Sequence, residues 1–359
     1  MARWTDTPLT RLLGVDLPVV VAPMAGGPTT PELVVAAARA GALGSLACGY
    51  LSPEQVRDAV RAVRAETDRP FAANLFLGTA AEPTGDELTR TVALLQPFYD
   101  ELGLGPVPVP ERWGVPADEQ LAVLLEERVP VVSTTFGLPG EEQRAALDRA
   151  GCLLVPTVTS VAEAVAAERA GADAVCAQGA EAGGHRGSFL PSSGDALVGL
   201  VALVPQVRDA VGLPLVAAGG IADGRAVAAA LALGADGVQL GTALLRSPEA
   251  GTSALHRAAL AAATDDATVV TRAYTGRPAR GLVNRFAELV DGGAVAPYPV
   301  THALTAPLRR AAARQGRADV LSMWAGQAAA LADDAAAADV LRRIVQQTGE
   351  VLGRLGPSA

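Results

Sequence analysis

Eight short apolar runs, each followed by a stretch carrying helix signals, constrain this chain more than any other feature of its sequence. The runs are Pro18–Ala22, Ala42–Leu46, Phe71–Leu75, Pro130–Ser133, Cys152–Pro156, Ala172–Ala177, Pro214–Ala218 and Asp236–Leu240. They are continuously apolar rather than alternating, which marks strands buried on both faces, and strands separated by helices pair in parallel. Helix starts are written at Thr30-Pro31-Glu32, Ser52-Pro53-Glu54, Thr159-Ser160 and Asp223, where a hydroxyl or carboxylate can accept from free first-turn N–H groups. Helix ends are written at Gly41, Gly151, Gly171 and Gly234. Repeated eight times, this unit predicts the α/β class and a closed (β/α)8 barrel of the TIM type.

Two stretches interrupt the repeat. Residues 79–129 are too long for one crossover and contain a proline-rich run, so they are read as a helical excursion inserted after strand three. Residues 264–359 follow strand eight and read as a mostly helical extension, with a Gly/Pro-marked loop at 291–299, capping a barrel of residues 1–263.

Composition removes several function classes. A formal net charge of -9 argues against nucleic-acid and anionic-membrane surfaces. No apolar run approaches the roughly 18 residues of a membrane span, and the N-terminus lacks a basic-then-apolar leader, so a soluble cytoplasmic protein is expected. Cys48, Cys152 and Cys176 lie in or beside apolar runs without paired spacing, which fits a reducing compartment. All 29 basic side chains are arginine. Schiff-base aldolases, lysine-anchored pyridoxal-phosphate enzymes and Walker-type phosphate loops all need a lysine amine, so they drop out.

In a (β/α)8 barrel the site lies at the C-terminal ends of the strands, and a phosphate commonly binds between the loops after strands seven and eight. Those loops hold Gly219-Gly220 and Gly241-Thr242, where glycines admit close backbone approach and Thr242 adds a hydroxyl. The loop after strand six reads Gln178-Gly179-Ala180-Glu181-Ala182-Gly183-Gly184-His185. A histidine there suits proton transfer near neutral pH, so His185 is the candidate catalytic group. His256, in an Ala/Leu helix, is read as structural or superficial, and Glu181 as scaffold. No carboxylate or second histidine stands at ligand spacing, so no metal is predicted. Met24 after strand one, Asn74 after strand three and Gln178 offer an apolar face and two amides to a flat, phosphate-bearing cofactor.

These segments together resemble the nitronate monooxygenase family. The carriers are PVVVAPMAGG at 18–27, FAANLF at 71–76, CAQGAEAGGHRGSF at 176–189 and PLVAAGGIADGR at 214–225. GADGVQLGTALL at 234–245, TGRPARGLVNRF at 275–286 and MWAGQ at 323–327 complete the set. The resemblance implies FMN, held by Met24, Asn74, Gln178, Gly183, Gly220, Gln239, Gly241 and Thr242, with Gly219 added from the phosphate loop. It implies His185 as the active-site histidine, acting as a base or as an imidazolium that holds the nitro group. It also implies O2 as co-substrate and a carbonyl compound with nitrite as products.

Thr135, Tyr298 and His302 fall on substrate-facing positions. Two of them depart from the usual pattern: Thr135 replaces a histidine, and His302 stands where an asparagine is common. The substrate, and the use of NAD(P)H, are therefore left open. The alternative is an FMN-dependent enoyl-acyl-carrier-protein reductase, which is similar in its AAGGIADG segment and in paired threonines like Thr134-Thr135, or another FMN-dependent tailoring oxidoreductase that uses NAD(P)H. Oligomeric state has no signal in the sequence.

Overall fold

The computed structural model describes residues 4–78, 83–191, 196–290 and 295–355. Its strands are β1 (Val19–Val21), β2 (Leu43–Ala47), β3 (Ala72–Phe76), β4 (Val131–Thr135), β5 (Leu153–Val158) and β6 (Val175–Gln178). They continue with β7 (Gly184–His185), β8 (Leu215–Ala218), β9 (Gly237–Leu240), β10 (Thr268–Thr271) and β11 (Ala279–Leu282). Strands β1 to β6, β8 and β9 form a closed parallel barrel, shut by the register Val20↔Gln239 between β1 and β9. Every predicted run supplies one barrel strand.

The local signals act as expected. Thr30, Ser52, Ser160 and Asp223 each accept first-turn N–H groups, and Gln55 returns a bond to the Ser52 N–H. Gly41, Gly151, Gly171 and Gly234 all take positive φ where a helix hands over to a strand. The side-chain period of two then divides the strands. Val19 and Val21 join the large core between barrel and helices. Val20, Leu43, Ala72, Val131, Val155, Cys176 and Val216 point inward and fill the barrel. Helix Pro8–Leu13 plugs the lower end, with Leu9 so close to Gly237 that a Cβ there would sit 2.4 Å from it. The barrel is therefore a packed core with an open upper mouth.

The stretch 79–129 divides in two. Helix Ala117–Glu126 is the crossover between β3 and β4, with Leu121, Val123 and Leu124 in the main core. Helix Gly85–Glu101 is the true excursion and packs on helix Val300–Arg314 of the extension. There the Tyr99 hydroxyl donates to the Leu304 carbonyl at 2.6 Å, inside a second apolar cluster that also contains Leu95, Phe98, Leu308 and Phe286. The extension is less purely helical than its sequence suggests. It carries the β10–β11 ribbon, which β7 joins as a third strand. Part of the 291–299 loop, 291–294, lies outside the described residues. No helix among the described residues is long and apolar enough to cross a membrane.

Candidate active site

Above the packed core, the barrel mouth and the extension enclose a cavity of about 520 Å³. Met24, Asn74, Thr135, Gln178, Gly183 and His185 line it, as do Gly219, Gly220, Gln239, Gly241, Thr242 and His302. Tyr298 does not. Its ring packs against lining residues instead, 5.8 Å from that of His185 and 6.1 Å from that of His302, and lies 5.4 Å from that of Phe136.

His185 owes its position to three elements. Its backbone pairs with Ala279 of β11, which turns the glycine-rich loop into strand β7. From β6, Gln178 donates through Nε2 to the His185 carbonyl at 3.0 Å, while its Oε1 accepts from the Gly187 N–H at 2.9 Å. The imidazole Nε2 lies 3.0 Å from the Thr275 hydroxyl. Glycine is needed at 183 because a Cβ would sit 2.5 Å from the Gly326 amide nitrogen, where the loop meets the extension. Burial, reinforced by Arg277 and Arg309, holds the imidazole down at about 3, so it is neutral near pH 7.

His302 stacks on Tyr50, with centroids 4.2 Å apart and planes 13° from parallel. Its Nδ1 accepts from Arg309 Nη2 at 3.2 Å, which places its own proton on Nε2. Burial, with Arg309, His185 and Arg310 adding to it, holds this ring down at about 2. Asn74 is buried on β3 and donates to the hydroxyls of Ser133 at 3.0 Å and Thr135 at 3.2 Å. Thr135 thus forms part of a neutral amide–hydroxyl row.

The opposite wall can hold an anion. Gly219 and Gly220 have φ of 126° and 66°, a run of left-handed backbone open only to glycine at no cost. The Thr242 hydroxyl accepts from the Gly326 N–H at 2.9 Å, tying the loop after β9 to the extension. Glu181 caps helix Leu200–Ala210, its Oε1 accepting from the Leu200 N–H at 2.8 Å, and is scaffold. The glycine loops, the amides of Asn74 and Gln239 and the thioether of Met24 suit a flat group carrying a phosphate. Among the described residues no cluster of three or more His, Cys, Asp or Glu side chains could hold a metal ion. Cys48, Cys152 and Cys176 are all free and buried.

Sequence reasoning missed several lining residues. Tyr50, Thr275, Arg309, Arg310 and Trp324 reach the cavity from segments distant in the chain. Thr275 and Trp324 belong to recognisable motifs, whereas Arg309 sits in a helix that reads as ordinary amphipathic sequence. His256 is not a surface residue: it is buried and lines the cavity.

The structure of a nitroalkane oxidase from Streptomyces ansochromogenes superposes with a TM-score of 0.91 at 41% identity, covering 97% of this chain and 99% of that one. FabK from Thermotoga maritima superposes with a TM-score of 0.76 at 31% identity, covering 98% of each chain. A probable nitronate monooxygenase of Staphylococcus aureus is 39% identical over 352 residues, 97% of this chain and 99% of that protein. A profile described as nitronate monooxygenase matches residues 6–347. This chain therefore belongs to the nitronate monooxygenase family of oxidoreductases.

Proposed function

We propose that the chain, loaded with FMN, oxidises nitronates or nitroalkanes with O2 to a carbonyl compound and nitrite. The observation that carries this reading is a neutral, half-buried histidine on the wall of a cavity whose opposite loops suit a phosphate-bearing ring. Met24, Asn74, Gln239 and the glycine loops at 219–220 and 241–242 would hold FMN, with Gly183 giving the His185 loop its close seat. Gln178 has both ends of its amide engaged by the His185 loop, so its part is to position that loop beside the cofactor. Bound FMN supplies the electron-accepting and oxygen-reducing chemistry.

His185 is the proton acceptor in this scheme. A group held near 3 cannot act as an imidazolium at neutral pH, which favours the base over the cation. Thr275 orients it: when Nε2–H donates to the hydroxyl, that hydroxyl donates onward to the Arg277 carbonyl at 3.2 Å and Nδ1 is left free to take a proton. Phe76, Phe136 and Trp324 surround the ring with apolar surface, which keeps water from competing.

The test is an aerobic assay of nitroethane and ethyl nitronate with nitrite and oxygen readouts, beside anaerobic mixing with NADH. Nitrite release supports the reading. Rapid bleaching by NADH with no response to either nitro compound would replace it with the reductase alternative.

A further inference from the structure

The charge of the cavity wall differs from that of the chain as a whole. Among the described residues no aspartate or glutamate lines it, although the chain has 38 of them, and the permanently charged lining groups are Arg309 and Arg310. In the extension, Arg285 and Arg317 both pair with Glu101 and Asp319, while Arg277 and Arg280, which do not line the cavity, are held by backbone carbonyls and a hydroxyl. Arg309 has no carboxylate partner among the described residues. Its Nη2 donates to His302 Nδ1 and to the His302 carbonyl, both at 3.2 Å, and its Nη1 reaches the Ser322 hydroxyl at 3.4 Å. Its Nε is buried without a partner.

A half-buried cation without a counter-ion is costly, and the cost falls when an anion arrives. None of the wall's three histidines, His185, His256 and His302, supplies that positive charge, since burial keeps each of them neutral. The guanidinium remains charged at any working pH. Arg309 is also held in place: its helix is locked by the Thr305 hydroxyl, which donates to the Tyr274 carbonyl at 2.6 Å.

We propose that Arg309 holds the charged nitro group of the substrate. It binds a nitronate as the anion it already is, and it stabilises the anion that forms when a neutral nitroalkane loses its α-proton to His185. In that step the C–H bond breaks, its electron pair moves onto the nitro oxygens, and the imidazole nitrogen takes the proton. The division of labour is between a neutral base and a separate fixed cation, with Arg310 at the exposed rim drawing anions inward. This rests on the functional reading above.

The experiment compares wild type, Arg309→Met and Arg309→Lys as FMN-loaded enzymes, with ethyl nitronate, nitroethane and nitrate as an unreactive planar anion. For ethyl nitronate, Arg309→Met raises KM roughly tenfold to a hundredfold with kcat little changed, because the charge is present before and during reaction. For nitroethane the same variant lowers kcat with KM little changed, because the charge exists only in the transition state. Inhibition by nitrate weakens in parallel, and Arg309→Lys recovers most of each effect. Equal losses in both parameters for both substrates, or unchanged nitrate inhibition, would overturn the assignment. If Arg309→Met loses its flavin, Arg309→Gln, which drops the charge and keeps hydrogen bonds, is read by the same criteria. If wild type turns over neither nitro compound, the functional reading fails, while nitrate titration of the flavin absorbance still decides whether Arg309 is an anion site.

Discussion

Gln178 and His185 are joined by a hydrogen bond from the Gln178 side-chain amide to the His185 carbonyl, 3.0 Å long, across the mouth of the barrel. The same amide accepts from Gly187, so one side chain on a rigid strand spans the whole turn that presents the imidazole. Replacing Gln178 with Ala removes two bonds, each contributing about 1 kcal/mol. We expect kcat/KM to fall tenfold or more with a modest drop in Tm, measured by steady-state kinetics and calorimetry. A Gln178→Ala variant with wild-type kcat/KM would show that the loop holds its shape without this residue.

His185→Asn should abolish turnover of neutral nitroalkanes while FMN content stays at the wild-type level. The pH profile is diagnostic too. With the imidazole held near 3, kcat/KM for nitroethane should lack an inflection near 6.5 and stay level down to about pH 5. An inflection at 6.5 that disappears in His185→Asn would show that the ring titrates as an ordinary imidazole.

Stability should fall on acidification for a related reason. His185, His256 and His302 are held at about 3, 4 and 2, each chiefly by burial, against an unfolded value of 6.5. Their folded affinities for protons are depressed, so below 6.5 the unfolded chain binds more protons and stability drops as pH falls. The full contribution is present above 6.5 and is lost progressively toward each folded value. Each histidine adds about 1.4 kcal/mol per pH unit to that slope within its window. Urea titrations at pH 7, 6 and 5 measure it, and His256→Gln should flatten the slope by about one proton if that variant folds.

Gly219 has φ of 126°, which an alanine can adopt only at a cost of about 1–3 kcal/mol. A Cβ there would also come within 3.1 Å of the Ala182 amide nitrogen. Gly219→Ala should weaken FMN binding tenfold or more, read by quenching of free-FMN fluorescence on titration. Unchanged affinity would move the phosphate away from this loop.

Tyr99→Phe deletes one hydroxyl, the one that ties helix Gly85–Glu101 to the Leu304 carbonyl. The loss should cost about 1 kcal/mol or somewhat more, since the carbonyl stays buried. Calorimetry should show the drop, and Tyr99→Ala, which also empties a core site, should lose about 3–5 kcal/mol.

The barrel was legible in sequence because its signals are local. Each strand is an apolar run, each helix start a Thr, Ser or Asp within bonding reach of the first turn, and each exit a glycine with positive φ. Neighbouring residues produce those features whatever lies further along the chain, and the glycine loops and His185 inherit their place from the ends of those strands. What only the tertiary structure decided is the other wall of the cavity. Thr275, His302, Arg309 and Trp324 share the cavity wall with His185 across sequence gaps of about a hundred residues, and β10 and β11 are strands only because they pair with each other, with β7 added beside β11. A half-buried arginine reads in sequence like a solvated one. That no carboxylate among the described residues meets Arg309 is a property of its surroundings, and those exist only once the extension has folded over the barrel.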